Sequence, residues 1–229
     1  MLQWYPEIMK VSITIKCLGH SGFQIKYNDE NIYIDLAPKQ VEGAPDVTEK
    51  GTIILTTHGH DDHCDPEAIS AARSDKTIVI APKNCVTKIG GNVKALSVGE
   101  ETQIRDIHIK AVPAYNVKRF RSPGNPFHPQ GFGVGYVITI DGKRIYHAGD
   151  TDMIPEMKEL GSIDVALLPV GDTYTMDNKE GADAAKVIKP KIVIPMHTWD
   201  KGVETFVNEL KGTAITVKPL AKGEQLTVS

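Results

Sequence analysis

Four side chains that can bind a metal ion fall within six consecutive residues. The run THGHDDH at positions 57–63 contains His58, His60, Asp62 and His63. In an extended segment, residues two apart point the same way, so His58 and His60 share a face. Imidazole nitrogens and a carboxylate together suit Zn²⁺, Mn²⁺ or Fe²⁺. The run predicts a divalent-metal site; a solvated polar loop is the weaker alternative, since it gives no reason for three histidines.

The segments on either side of this run predict the elements that position it. Residues 52–55 (TIIL) are almost continuously apolar, which is typical of a strand buried on both faces. Asp65 followed by Pro66 is typical of a helix start, with the aspartate as N-cap and the proline in the first turn. The metal-binding run therefore connects a buried strand to a helix.

The rest of the chain predicts strands first and alternating helices and strands later. An antiparallel meander is predicted for residues 11–17, 23–27 and 32–35. Further strands are predicted at 77–81, 104–112, 135–140 and 144–147. Helices near 154–160, 181–188 and 203–210 each lead to a strand. The loop 114–133 is long and rich in proline and glycine, so we expect it to be functional. This order predicts one domain over residues 1–229, with residues 1–9 as an N-terminal extension and sheets covered by helices.

Composition excludes several classes of protein. The 229 residues are 41% hydrophobic and 24% charged, which is ordinary for a globular chain and unlike a disordered one. The balance of 26 basic against 29 acidic residues argues against a nucleic-acid-binding protein. Three cysteines without a paired spacing predict no disulfide framework. No run is long and apolar enough to span a membrane, and the start does not look like a signal peptide, so we expect a cytoplasmic protein.

The metal-binding run resembles the H-x-H-x-D-H signature of the metallo-β-lactamase-fold hydrolases. Further matches follow in the family's order: Asp35 in YIDLAP, Asp150 in YHAGDTD and His197 in VIPMHTWD. The segments LGHSGF, HAGDT, GDTYTMD and PMH look most like the group that contains ascorbate-phosphate lactonase and N-acyl-phosphatidylethanolamine phospholipase D. The resemblance implies an α/β (α+β) chain folded as a four-layer αββα sandwich, with metals at one sheet edge.

The resemblance also implies two metal sites that share one carboxylate. Its metal ligands would be His58, His60, Asp62, His63, Asp150 and His197, with Asp150 as the bridge. The family's third histidine of the first site is missing, because Asn116 stands in its place. The first site is therefore expected either to be weak or to recruit His128 from the loop, where the alternative for His128 is an ordinary loop residue.

A bridged pair of cations implies hydrolysis. Two cations about 3.5–4 Å apart can hold a bridging hydroxide and polarise the bond under attack. We expect Zn²⁺, with Mn²⁺ or Fe²⁺ as alternatives. Asp62 would hold the water or take its proton, and His128 would be either a replacement ligand or an acid for the leaving group. The expected substrate is a small, anionic phosphodiester or lactone.

Other side chains have two open interpretations. Lys118, Arg119 and Arg121 either clamp an anion or form a solvated loop. Either the pocket or the core would contain the aromatic residues Tyr115, Phe127, Tyr174 and Trp199. Among the remaining polar residues, His20 and His147 either orient ligands or pack, His108 faces solvent, and Asp35 braces a ligand histidine.

Three functions compete at this point. A small-molecule hydrolase fits best. A nuclease of the same fold would need a wide basic track, which the net charge of −3 disfavours. A non-catalytic metal-binding protein is the third, raised by Asn116. An oligomer is compatible with all three.

Overall fold

The computed structural model describes residues 12–37, 47–199 and 201–228, so the expected extension at residues 1–9 lies outside the described part. The strands in chain order are β1 (Ile13–Gly19), β2 (Gly22–Tyr27), β3 (Glu30–Ile34), β4 (Ile53–Leu55), β5 (Ile78–Ala81), β6 (Val93–Ala95), β7 (Glu101–Ile104), β8 (Ile107–Ala114), β9 (Phe120–Ser122), β10 (Asn125–Pro126), β11 (Gly133–Ile140), β12 (Lys143–His147), β13 (Val165–Pro169), β14 (Ile192–Met196), β15 (Thr216–Val217) and β16 (Gln225–Val228). The α-helices are α1 (Pro66–Ala72), α2 (Lys83–Ile89), α3 (Asn178–Ile188) and α4 (Glu204–Glu209).

Two seven-stranded sheets share the same plan. The first has the order β16-β1-β2-β3-β4-β5-β6, and the second has the order β15-β14-β13-β12-β11-β8-β7. The meander β1-β2-β3 is antiparallel, as predicted, and β3 to β6 run parallel. In the second sheet β7, β8, β11 and β12 are antiparallel, and β12 to β15 are parallel. Each sheet is therefore mixed.

The sheets pack face to face and carry the helices outside. The largest core cluster draws on both sheets, for example Ile25 from the first and Ile138 from the second. A second cluster joins the outer face of the second sheet to α3 and α4, and a third joins the first sheet to α1 and α2. Within β4, Ile53 belongs to the inner core and Ile54 to the outer cluster, so this strand is buried on both faces as predicted. The predicted four-layer αββα arrangement is confirmed.

Local chemistry explains where the main helices begin. Asp65 caps α1, because its carboxylate accepts hydrogen bonds from the backbone amides of Glu67 and Ala68. Asp177 caps α3 in the same way through the amide of Glu180. The prediction for α3 therefore began three residues too late, because it overlooked this cap.

The helix predicted near 154–160 is present as a short 3₁₀ helix, Pro155–Glu159. Other elements differ from the sequence predictions. The strand predicted over 104–112 is a hairpin, in which Ile104 pairs with Ile107 and Arg105 turns with φ 51°. That turn lacks the Asn-Gly or Asp-Gly pair that marks a hairpin in sequence. Helix α2 was not predicted, and its N-cap, Pro82, makes no side-chain capping bond that could have marked it.

Parallel strands bring their carboxyl ends to one edge of each sheet. Asp35 follows β3 and His58 lies just after β4, while Asp150 follows β12 and His197 follows β14. Crevices at the carboxyl ends of such strands are common binding sites in open α/β sheets. The fold thus collects the predicted metal-binding residues from both sheets at one edge.

No helix in the described ranges is long and apolar enough to cross a membrane.

Candidate metal centre

The first group of nitrogen atoms lies around His60. The Nε2 atom of His58 is 3.1 Å from Nδ1 of His60, and Nε2 of His128 is 3.2 Å from the same atom. His128 Nε2 also lies 3.3 Å from Oδ2 of Asp150. Two ligand atoms that are each about 2.0–2.1 Å from a tetrahedral zinc ion lie about 3.3 Å apart. The spacing of this trio is that of a ligand shell.

The second group of ligand atoms also contacts Asp150. His63 Nε2 lies 3.3 Å from Oδ1 of Asp150, and His197 Nε2 lies 3.0 Å from Oδ2. Asp62 completes the group, with Oδ2 at 3.7 Å from His63 Nε2 and 3.9 Å from His197 Nε2. The structure thus brings together all six predicted metal ligands and also His128.

Polar atoms at the centre of these groups are close together but make no well-aligned hydrogen bond with any described residue. His63 Nε2, His197 Nε2 and Asp150 Oδ1 are all buried in this state, although the two nitrogen atoms lie 3.0–3.3 Å from the Asp150 carboxylate. Leaving such atoms unpaired costs free energy, so native proteins nearly always satisfy them. A cation placed between them would satisfy all three. The residues present therefore fit a divalent metal ion.

Neighbouring side chains fix the orientation of the histidines. Asp35, which is 1% exposed, accepts a hydrogen bond from His63 Nδ1 at 2.8 Å, so the other ring nitrogen faces Asp150. The same carboxylate accepts from the amide and hydroxyl of Thr57, each at 2.7 Å. The Thr57 hydroxyl lies 3.1 Å from His58 Nδ1. Asp35 therefore bonds the ring nitrogen of His63 that faces away from Asp150, as its sequence context indicated.

Asn116 orients His128 in the same way. Its side-chain oxygen lies 2.9 Å from His128 Nδ1 and accepts from the backbone amide of His128 at 2.8 Å. The Asn116 amide group donates to the carbonyl of Tyr174 at 2.9 Å. Asn116 is therefore not part of the cluster itself but holds His128, which the loop brings back beside His60 and Asp150.

Two other histidines lie beside the centre in supporting positions. His20 Nε2 is 3.0 Å from Oδ2 of Asp62, and its ring centre is 4.0 Å from that of His197. His147 is fully buried and bonds the carbonyl of Ser21 at 2.9 Å and the amide of Gly149 at 3.2 Å. His147 therefore ties the turn before Asp150 to the first sheet. Away from the centre, the half-exposed His108 lies 3.5 Å from Glu101.

Burial and mutual charge set the protonation of the cluster. Burial lowers the pKa of His58 well below its usual range and that of His128 to about 4. Both rings are therefore neutral near pH 7 and keep a lone pair for a metal. Burial acts against the charged form of Asp150, but His197 and His63 hold its pKa well below the usual range. An ionised carboxylate at the centre attracts cations.

The backbone around the centre adopts conformations that side chains rarely take. His20, Asp35 and His197 have φ values of 52°, 50° and 56°. Such left-handed backbone is uncommon outside glycine and concentrates at functional sites. A Cβ at Gly171 would come within 1.9 Å of the His197 carbonyl oxygen, so only glycine allows this close approach.

A lysine of helix α2 forms hydrogen bonds with the metal-binding run. Lys88 donates to the carbonyl of Gly59 and to the carboxylate of Asp61, both at 2.7 Å. Sequence reasoning missed Lys88, because nothing in a single lysine indicates contacts with residues 29 and 27 positions away. The contact restrains the segment between His58 and Asp62.

A cavity of about 370 Å³ opens onto the centre. Its wall contains Arg121, Phe127, Tyr174 and Trp199, and its floor contains His60, Asp62, His128, Asp150 and His197. Of the three cations left open as an anion clamp or a solvated loop, only Arg121 lies in the described wall of the cavity. Lys118 pairs with Glu180, and Arg119 pairs with Asp152 and Glu180. Tyr115 is directed to Glu156 and packs against the outer cluster of the second sheet.

Comparison with known proteins identifies the family. A model of the beta-lactamase superfamily domain matches residues 14–197. A UPF0173 metal-dependent hydrolase from Pelotomaculum thermopropionicum is 34% identical over 223 residues, covering 91% of this chain and 97% of that protein.

Solved structures agree with this assignment. A candidate metal-dependent hydrolase from Parabacteroides distasonis is 38% identical with a TM-score of 0.85, covering 92% of this chain and 93% of that one. Igni18, a metallo hydrolase from Ignicoccus hospitalis, is 25% identical with a TM-score of 0.76 and covers 95% and 99% of the two chains. The predicted superfamily and enzyme class are confirmed, whereas the likeness to the lactonase and phospholipase group stays a prediction. This chain belongs to the UPF0173 metal-dependent hydrolases of the beta-lactamase superfamily.

Proposed function

We propose that the protein is a two-metal hydrolase of small anionic esters, with a phosphodiester or a lactone as substrate. The observation that carries this proposal is the pair of atom groups that meet at Asp150, each spaced like a ligand shell. The first metal would be held by His58, His60, His128 and Asp150. The second would be held by Asp62, His63 and His197, together with the shared Asp150. Zn²⁺ suits this nitrogen-rich set best, with Mn²⁺ and Fe²⁺ as alternatives.

The protein supplies position and proton transfer. Bound cations would lower the pKa of a water molecule towards about 7 and polarise the bond under attack. Of the two carboxylates at the cavity floor, Asp62 is the one that would accept the proton of the attacking water, since Asp150 would bind both metals. His20 lies 3.0 Å from Asp62 and would hold that carboxylate in place.

His128 serves better as a ligand than as an acid. Its Nε2 atom lies among His60 and Asp150, and its Nδ1 atom is bonded to Asn116. Both ring nitrogens are thus engaged, which leaves no free N–H for a leaving group. We therefore propose His128 as the replacement for the histidine that Asn116 displaces.

The alternatives fit the structure less well. A nuclease needs a basic track for the phosphate backbone, whereas Arg121 is the one lysine or arginine in the described wall of this cavity. A non-catalytic metal-binding protein gives no reason for an open cavity over the metal cluster. We also propose that residues 1–229 form one domain, supported by the core that both sheets share. A cytoplasmic location is proposed from the composition alone.

The test measures metal content and turnover together. The purified protein should contain about two Zn²⁺, Mn²⁺ or Fe²⁺ ions per chain and hydrolyse members of a panel of phosphodiesters and lactones. Asp62→Asn should lose most turnover while the protein stays folded. His108→Gln is the matched histidine control for His128→Gln, because His108 lies at the surface beside Glu101. A metal-free wild-type protein that still hydrolyses the panel would refute the proposal.

A further inference from the structure

Arg121 is a cation of the cavity wall without a carboxylate partner among the described residues. It lies in β9, and its guanidinium carbon is 5.0 Å from the ring centre of Phe127. It forms no ion pair with any residue that the structure describes. By contrast, the side chain of Arg119 is only 12% exposed and contacts Asp152 and Glu180. The charge of Arg121 is therefore available to a ligand, while that of Arg119 holds the fold.

Three aromatic rings continue the wall from Arg121. Phe127 meets Tyr174 edge to face, with ring centres 4.8 Å apart, and Tyr174 lies 6.2 Å from Trp199. Tyr174 and Trp199 are 37% and 45% exposed, although large aromatic side chains usually bury most of their surface. Exposed rings along a cavity provide apolar faces for a flat ligand.

We propose that Arg121 and this aromatic wall select the substrate of the hydrolase. The substrate would be an ester with an anionic phosphoryl or carboxylate group on Arg121 and a planar, unsaturated substituent against Phe127, Tyr174 and Trp199. The planar guanidinium forms paired hydrogen bonds with either anion, which a lysine does not match. This inference rests on the proposed function, because it names the substrate class of the same site.

The charges of the cavity support an anionic ligand. Its acidic wall residue, Asp61, is already paired with Lys88 at 2.7 Å. Asp62 and Asp150 lie at the floor, where two divalent cations would more than balance them. The fixed charge of Arg121 then adds to a positive cavity. The volume of about 370 Å³ suits a ligand of small-molecule size rather than a polymer.

Binding of two unreactive anions tests the inference. Phenylphosphonate and methylphosphonate carry the same phosphonate group and differ in the planar ring. Calorimetry on the metal-loaded protein should give wild type at least about tenfold tighter binding of the phenyl compound. Arg121→Gln should weaken both compounds about tenfold or more, and Arg121→Lys should restore part of the loss. Trp199→Leu should reduce the preference for phenyl over methyl, and the exposed Lys76→Gln is the matched control for the loss of one charge.

Failure of this inference and failure of the proposed function give different results. Equal phosphonate binding by wild type and Arg121→Gln would overturn the role of Arg121, and equal binding of both phosphonates by wild type would overturn the aromatic wall. To choose the anion, turnover of phenyl p-nitrophenyl phosphate is compared with that of an aryl lactone bearing a carboxylate. If neither ester is hydrolysed but the phosphonates bind as expected, the proposed function fails in its substrate while the selectivity of the cavity stands.

Discussion

The two halves of the metal centre are braced in different ways. In one half, His63 is held by the buried carboxylate of Asp35, which follows β3 and also bonds Thr57. In the other half, His128 comes from the loop 114–133 and is held by the neutral amide of Asn116. The first brace is an anion fixed by the sheet, and the second is a dipole fixed by a loop. We infer that the His63 half binds its metal more firmly than the His128 half.

The largest effect should come from the residue that the halves share. Asp150→Ala removes the carboxylate that lies 3.0–3.3 Å from His63, His128 and His197. We expect loss of both metals and a fall in turnover of more than about 100-fold, because even supporting residues cost about 10–100-fold. Metal analysis and kinetics measure this, with circular dichroism as the folding control. Retention of one tightly bound metal would show that the halves do not depend on a common ligand.

Loss of His128 should separate the halves. His128→Ala leaves His58 and His60 without their third nitrogen, so metal content should fall from about two ions to about one. The residual ion should belong to the His63 half. Metal titration of His128→Ala against His108→Ala tests this. Unchanged metal content would contradict the proposal that His128 is a ligand of the first site.

The two braces can be compared directly. Asp35→Ala should weaken binding of the tighter metal by about 100-fold, and Asn116→Ala should weaken binding of the other by about tenfold, since side chains that hydrogen-bond a ligand histidine span this range. The larger value belongs to Asp35 because it is charged and also holds Thr57. Competition with a chelator of known affinity gives both numbers. Equal losses would contradict the difference that we draw between the halves.

The smallest expected effect is that of Lys88. Lys88→Met removes its bonds to Gly59 and Asp61 and should lower turnover about two- to fivefold, in line with one net hydrogen bond. Lys83→Met, at the exposed start of α2, is the matched control. If Lys88→Met and its control have the same turnover and metal affinity, the run containing His60 keeps its conformation without the Lys88 hydrogen bonds.

Much of the fold was predictable because its signals are local. The buried strand β4, the Asp65 cap of α1 and the meander β1-β2-β3 depend on neighbours a few residues apart. The hairpin was missed because its turn at Arg105 lacks the residue pair that marks a hairpin in sequence. Helix α2 was missed because its N-cap, Pro82, makes no side-chain capping bond, while its buried face packs in the outer cluster of the first sheet.

The sequence by itself determined the chemistry of the site: the residue types from His58 to His63, and Asp150 and His197 in their order. Only the tertiary structure decided three other features. These are the left-handed backbone at Asp35 and His197, the ion pair of Arg119 with Asp152, and the position of His128 beside His60. Each of these depends on contacts between segments far apart in the chain. A ligand shell is a set of distances of about 3 Å, and such distances arise only when two sheets pack and bring their strand ends to one edge.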